Sequence, residues 1–405
     1  MPADPSAKAA WAVAPGILLA GVAGGIAFPI LPVFGARAGL SLAFIGVVLA
    51  ANRATRVVAN PIVGMIADRF GGRRTLLVGL LVQIVVMALF WLGVTTKHTG
   101  FFFLAGRIVH GPGSSCVFVA GQALALHSAG PKKGGQAGGI VRAAMQIGVP
   151  VGLVLGGVLA DTIGEARTFE AAAGALLLAT IGAYVLVPDL RVTMKGRPAL
   201  FRSLAILGDK RLAAIGSLNF AATFAGSGLV LTTATLLVQA RHLAIGHFPE
   251  RASASMFMGL LVISEGVSMP FLGRLGDRKA AHAWVAAVGM TFMIPALLVI
   301  AGAKTPVVYA LGLALLGTSV GALGPSVLAL IGDLVEPHLR GLAVGAIQVC
   351  ADVGGAAGPL FGTTFFATSI ALPYEVSALV IASFVPAAFW LTRARPQVAV
   401  VSRAP

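Results

Sequence analysis

Charge is scarce in this sequence. Asp, Glu, Lys and Arg make up 11% of its 405 residues, where a soluble domain carries about 25%. So little charge excludes an ordinary soluble domain. Acid is scarcer than base, 14 residues against 29, leaving a formal charge of +15. In a soluble protein that excess would suit nucleic acid. In a membrane chain it marks cytoplasmic loops, so no nucleic-acid partner is expected. Cysteine is almost absent. Cys116 and Cys350 both fall inside apolar runs and read as core residues rather than a disulfide or a metal pair. No metal-ligand cluster, Ser-His-Asp set or G-x-x-x-x-G-K-[ST] loop stands out. No metal, cofactor, enzymatic activity or ATP drive within this chain is expected.

Apolar residues fill the space: 58% of the chain is hydrophobic. Runs of about 20 such residues, enough to cross a bilayer roughly 30 Å thick, recur from end to end. We place twelve spans near 11–34, 42–67, 75–95, 101–127, 136–160, 170–188, 212–238, 252–273, 281–302, 307–331, 341–366 and 375–392. The expected fold class is an all-α membrane protein of twelve transmembrane helices. The first run, from Trp11 to Phe34, is too long for the core of a cleaved signal. An even number of spans puts both termini on one side. With the N-terminus in the cytoplasm, 19 of the 29 basic residues lie on cytoplasmic segments and six face outward, which is the bias expected of cytoplasmic loops. The expected location is the bacterial cytoplasmic membrane, as a multi-pass protein with both termini in the cytoplasm.

The chain is also doubled. Pro61-x-x-Gly64-x-x-x-Asp68-Arg69 returns as Pro270-x-x-Gly273-x-x-x-Asp277-Arg278, 209 residues later. Span five carries Gly148, Gly152, Gly156 and Gly157; span eleven carries Gly354, Gly358, Pro359 and Gly362 at an offset of 206. Glycines four residues apart let helix backbones approach closely in a bilayer. The expected organisation is a six-helix bundle over 1–188, a cytoplasmic linker over 189–211, and a second bundle over 212–405 with a short tail. The apolar stretch Leu200–Leu207 around Arg202 fits either a surface helix or a plain linker.

Six ionisable residues fall within spans: Arg53 and Arg56 in span two, Arg107 in span four, Arg142 in span five, Glu265 in span eight and Asp352 in span eleven. Such residues are costly in a bilayer and usually line a cavity or pair with one another. Arg56 lies eight residues before Gly64, and Glu265 eight before Gly273, so the repeat places opposite charges at equivalent positions. They could meet, face a substrate, or pair within their own bundles. Glu265 and Asp352 are the acids expected inside the bilayer. Burial favours a neutral carboxyl and a nearby arginine an ionised one, so a change of surroundings can move a proton. Glu265 is preferred as the proton carrier for its match to the arginine position. Arg53 and Arg56 share a helix face, though Arg53 could instead snorkel to the surface. If the arginines reach a cavity, guanidinium groups suit carboxylate or phosphate. Gln146 and Gln348 are further polar candidates. His110 and His127 titrate near neutrality in water, yet single histidines usually pack against helix neighbours.

Three motifs together resemble the major facilitator superfamily, and within it the twelve-helix drug:proton antiporter type. Gly64-x-x-x-Asp68-Arg69-x-Gly71-x-Arg73-Arg74 resembles the loop between helices two and three. Arg107-x-x-x-Gly111-x-Gly113 is similar to the helix-four motif. The span-five glycines resemble the antiporter motif, with Leu153 where the family has proline. Phe28-Pro29-Ile30-Leu31-Pro32 fits the end of the first helix. The resemblance implies two six-helix bundles rocking around a central cavity. It implies a gating role for Asp68, Arg69, Arg73 and Arg74 and their second copy, Asp68 meeting helix eleven, and a coupling role for Arg107. The basic residues could otherwise serve topology alone. The function it implies is a proton-coupled exporter of small organic molecules, acting as a monomer in the bilayer. One alternative is a proton-coupled importer of an organic anion, suggested by the arginines and Leu153. Another is a membrane receptor that transports nothing.

Overall fold

A computed structural model describes residues 5–188, 205–279, 281–335 and 340–393, apart from the side chains of 5–10, 61, 68, 125–139, 142, 146, 278–279 and 341. Among them there is no strand. The helices are α1 (Pro5–Arg37), α2 (Leu42–Phe70), α3 (Gly72–Thr95), α4 (Thr99–Thr162), α5 (Glu165–Leu186), α6 (Lys210–Thr223), α7 (Leu231–Ala240), α8 (Glu250–Lys279), α9 (His282–Gly302), α10 (Pro306–Leu334), α11 (Arg340–Phe366) and α12 (Leu372–Arg393). A π-helical stretch, Phe224–Val230, joins α6 to α7, so the expected seventh span is one leg with a widened middle. Eleven segments among the described residues are long and apolar enough to cross a membrane. Most of the expected linker lies outside the described residues, including the start of Leu200–Leu207. Ile206–Gly208 is a short 3-10 turn.

One expectation needs correction. Spans four and five, drawn as separate helices, run as the single helix α4. Their contacts still divide it into two legs. Arg107 lies at Phe28, His110 at Gly24 and Gly121 at Ile17, so the first leg runs antiparallel to α1. Gly148, Gly152 and Gly156 abut the carbonyl oxygens of Leu18, Val22 and Ile26, so the second leg runs parallel to it. His110 and Gly148 thus flank the same turn of α1. In a straight helix they would stand roughly 57 Å apart at 1.5 Å per residue. The chain therefore reverses between residues 121 and 148, and the backbone keeps helical bonding through the reversal.

Helix ends show why these segments start and stop. Ser41 caps α2 by accepting from Phe44 N at 3.2 Å. Asp209 caps α6 by accepting from Arg211 N at 2.8 Å. Thr305 caps α10, whose first residue is Pro306. Such oxygens satisfy amides that have no partner in the helix. Arginines close C-termini in the same way. Arg241 donates to the carbonyls of Ala301 and Ala303 at 2.6 Å, at the end of α9. Arg340 donates to Gly332 O at 2.8 Å and Val335 O at 3.1 Å, at the end of α10. Cations at these ends also meet the negative pole of the helix.

Two compact units emerge. The first holds α1 to α5 with Phe248–Met256; the second holds the helices from α6 on, with α8 counted from Phe257. Each is organised around a pair of helices in backbone contact. In the first unit, a Cβ at Gly21 would lie 3.3 Å from Gly148 Cα. In the second, a Cβ at Gly228 would lie 3.0 Å from Gly358 Cα and 3.2 Å from Gly354 O. The partners sit at sequence offsets of 206 and 207, so one crossing occurs twice. Without a hydrophobic force between helices in lipid, this close contact is the main attraction available.

A leucine at Gly152 would drive its side chain into the Val22 carbonyl. Gly152→Leu should destabilise the protein by at least about 2 kcal/mol through overpacking. Gly174→Ala, where no atom lies within 4 Å of the new Cβ, should be neutral or stabilising by up to about 1 kcal/mol. Thermal unfolding followed by size-exclusion fluorescence compares the two. Equal stability would remove the crossing from its central place.

Candidate functional site

In the first unit, α2 and α4 cross at Gly111. A Cβ there would strike the Thr55 hydroxyl and lie 2.8 Å from Asn52 O. That contact carries Arg53 and Arg56 to the level of Arg107 and His110. Arg107 is 1% exposed and His110 7%. The Arg107 guanidinium carbon sits 5.0 Å from the centre of the Phe28 ring. Its Nε and Nη2 have no hydrogen-bond partner, nor does His110 Nδ1. The His110 ring packs on Gly24, whose Cβ would be 3.5 Å from Cε1. Arg53 is within electrostatic range of Arg107, and Arg53, Arg56 and Arg107 are all within range of His110. Three of the four expected span arginines therefore gather in one place. The side chains of Arg142 and Gln146 lie outside the described residues. His110 belongs to the cluster although a lone histidine reads as packing. Its one sequence signal is the three-residue spacing from Arg107, which puts both on one helix face.

In the second unit, α8 and α10 cross in the matching way. Gly317 abuts the Leu261 carbonyl and its Cβ would lie 2.9 Å from Ser264 Cβ. Leu261 and Ser264 stand 209 residues after Asn52 and Thr55. Arg56 and Glu265 each follow directly on the contact residue of their own crossing. Glu265 is half-buried, and its carbonyl accepts from Ser268 Oγ at 2.9 Å. Asp352 is 1% exposed in α11. Beside it, Ala351 O accepts from Thr223 Oγ1 at 2.7 Å and Gly354 abuts Phe220 of α6. Gln348 is exposed on the same helix. Arg53, Arg56, Glu265 and Asp352 are all engaged by neighbours.

The repeated loops behave differently from one another. Between α2 and α3 only Gly71 is non-helical, at φ 91°. That left-handed value costs glycine little and other residues more. Gly64 is buried with open space at its Cβ, and Arg69 and Arg74 are exposed. Arg73 turns back to donate to the Tyr184 carbonyl, and its guanidinium carbon lies 5.1 Å from the Tyr184 ring. It closes the C-terminus of α5. In the second copy, Gly273 packs on Pro325, and Asp277 accepts from His282 Nε2 at 3.0 Å. The side chains of Asp68 and Arg278 lie outside the described residues.

One charged cluster had gone unread. Arg251 Nη1 meets Glu165 Oε1 at 2.9 Å, and its Nε meets Asp161 Oδ1 at 3.5 Å. Asp161 Oδ2 also accepts from Ala252 N at 3.1 Å, capping the start of α8. Arg37 adds a second contact to Glu165. All four belong to the first unit. Sequence reading counted the two arginines as outward loop charges and gave the two acids no role. A further crevice of about 430 Å³ in the second unit, between α8, α9 and α10, is lined by Leu275, Trp284, Phe292 and other mostly apolar groups. It holds none of the expected site residues. Among the described residues no group of three His, Cys, Asp or Glu could hold a metal ion.

Comparison with known proteins gives a consistent answer. The sequence model of the Major Facilitator Superfamily matches residues 13–359 and 217–402. A multi-drug resistance efflux pump PmrA homolog from Lactococcus lactis is 28% identical over 316 residues, covering 75% of this chain and 73% of that protein. Multidrug resistance protein MdtG from a Rahnella strain is 26% identical over 396 residues, covering 95% and 94%. Among solved structures, a bacterial homolog of the human lysosomal transporter Spinster superposes with a TM-score of 0.81 at 12% identity, covering 97% of this chain and 98% of that one.

The Arg251 cluster makes a stability test. Arg251 is 8% exposed, and Arg251→Met leaves Asp161 and Glu165 without their shared cation. The expected loss is about 1–3 kcal/mol, below that of a fully buried pair. Arg37→Met, with a side chain 55% exposed, should cost under about 1 kcal/mol. Thermal melts of the two variants should fall in that order. The reverse order would show that Arg251 is not the centre of the cluster.

Proposed function

The chain belongs to the Major Facilitator Superfamily, and from that premise we propose that it is a secondary active transporter that exports small organic molecules in exchange for protons. It works by alternating access across a bacterial cytoplasmic membrane, with both termini in the cytoplasm. The observation that carries the proton is the placement of Glu265 and Asp352 within the apolar helices α8 and α11, Asp352 at 1% exposure. An ionised carboxylate in such a place costs several kcal/mol unless compensated. Burial favours the neutral acid and a nearby cation the ionised one. A transport cycle that changes those surroundings binds the proton in one state and releases it in the other. Repeated halves with polar groups inside are the usual build of such machines.

Export is supported by the likeness to the Lactococcus efflux pump homolog and the Rahnella multidrug resistance protein. The orientation is supported by the basic bias of the loops. Glu265 is the preferred proton carrier because it stands where the first half has Arg56. Arg107 couples cargo to proton in this reading. Asp68, Asp277 and the arginines beside them act at the gates.

The test uses purified full-length protein in liposomes preloaded with a mixture of small organic solutes, with exit read by mass spectrometry against protein-free liposomes. Acid outside should accelerate the exit of at least one solute, and acid inside should not. Acceleration by acid inside would mean symport, and no exit under either gradient would defeat transport. Glu265→Gln should cut the gradient-driven component roughly tenfold or more, the scale of losing a coupling worth about 1.4 kcal/mol. Asp352→Asn should cut it less. Full gradient-driven exit in Glu265→Gln removes Glu265 from the mechanism.

A further inference from the structure

The two multidrug names above state no chemical class of cargo, and the first unit bears on it. Between residues 5 and 188 the acids are Asp68, Asp161, Glu165 and Glu170. Asp161 and Glu165 flank the α4–α5 junction, and Glu170 accepts from Trp91 Nε1 at 2.7 Å near the end of α3. None stands beside Arg107 in the sequence. Arg107 is nevertheless 99% buried, and its Nε and Nη2 have no partner. Those two nitrogens form the side-on fork of the guanidinium. Two parallel N–H groups at that spacing match the two oxygens of a carboxylate. The Phe28 ring centre lies 5.0 Å from the guanidinium carbon. One turn along α4, His110 presents a second buried atom without a partner, Nδ1. Arg53 and Arg56 add positive potential to the same place.

A buried donor left unbonded costs free energy that a ligand can recover. Buried Arg107, with no acid of residues 5–188 beside it in the sequence, disfavours a cationic ligand. We propose that this cluster is a binding site for the carboxylate of an organic anion, with Arg107 as the two-point contact and His110 as the neighbouring hydrogen-bonding group. That the anion is a cargo rests on the transport reading above; the site itself does not. The fork distinguishes the assignment from simple charge attraction, because a lysine at the same position keeps the charge and loses the geometry.

Four isosteric probes test it on the detergent-purified full-length chain: benzoate, phenylphosphonate, benzyl alcohol and benzylammonium, with binding measured by calorimetry. Benzoate should bind most tightly, and the alcohol and the ammonium at least roughly tenfold more weakly. Arg107→Lys should weaken benzoate by a similar factor while leaving the ligand-free melting temperature close to that of the parent. If that variant fails to fold, the four-probe ranking on the unaltered chain still decides. No benzoate binding, benzylammonium equal to benzoate, phenylphosphonate tighter than benzoate, or benzoate unaffected in Arg107→Lys would each overturn the proposal. Binding is read without a membrane or a gradient, so it stands apart from liposome exit. Benzoate bound with no solute exit sinks transport and leaves the site, while exit with no benzoate bound does the reverse.

Discussion

A bilayer offers no water to polar groups, and that single constraint explains more of this chain than any other. Every amide in the span must bond to its own helix or to a side chain nearby. Arg73, Arg241 and Arg340 obey it by closing the carbonyls at the ends of α5, α9 and α10. Arg73 and Arg340, counted in the sequence among the basic residues expected in the cytoplasm, thus also finish helices, and so does Arg241, counted there as outward-facing.

The constraint also explains why glycine takes the role that leucine has in soluble cores. Lipid tails attract a leucine as well as another helix does, so association depends on how near two backbones can come. The Gly21–Gly148 and Gly228–Gly358 contacts set glycine against glycine, beside still closer approaches of Gly152 and Gly354 to the carbonyl oxygens of Val22 and Phe220. They recur at almost one offset, and so do the crossings at Gly111 and Gly317. A duplicated gene would carry the spacing of small residues forward because any larger residue collides with main chain, which cannot step aside. Side chains beyond the crossing are free of that rule.

The repeat and the span glycines were legible from the sequence because they follow periodicity and small-residue spacing, which are local signals. The twelve legs were legible for the same reason, though not the continuity of α4, since Pro131 and the surrounding glycines read as a break. Arg107 was found because charge inside an apolar run is conspicuous. His110 was passed over because one histidine carries no pattern, and only its place against Gly24 and beside three arginines gives it weight. The Arg251 cluster escaped for a deeper reason. Arg37, Asp161, Glu165 and Arg251 come from four separate helix ends, and nothing in a linear sequence says which ends meet.

The two halves then differ in one respect that packing does not dictate. Span interiors of the first carry arginines; those of the second carry Glu265 and Asp352. Arg56 and Glu265 hold the same position relative to the same crossing, with opposite sign. The crossings themselves are made by Asn52 and Thr55 on one side and by Leu261, Ser264 and the Glu265 backbone on the other, so packing does not set the sign of the charge. Opposite signs at one duplicated position are better explained by divided chemistry. An arginine suits a fixed anion contact because it stays charged at any working pH. A carboxyl suits a proton because burial and a neighbouring cation pull its protonation in opposite directions. In the reading proposed above, the first half recognises an oxyanion and the second exchanges a proton.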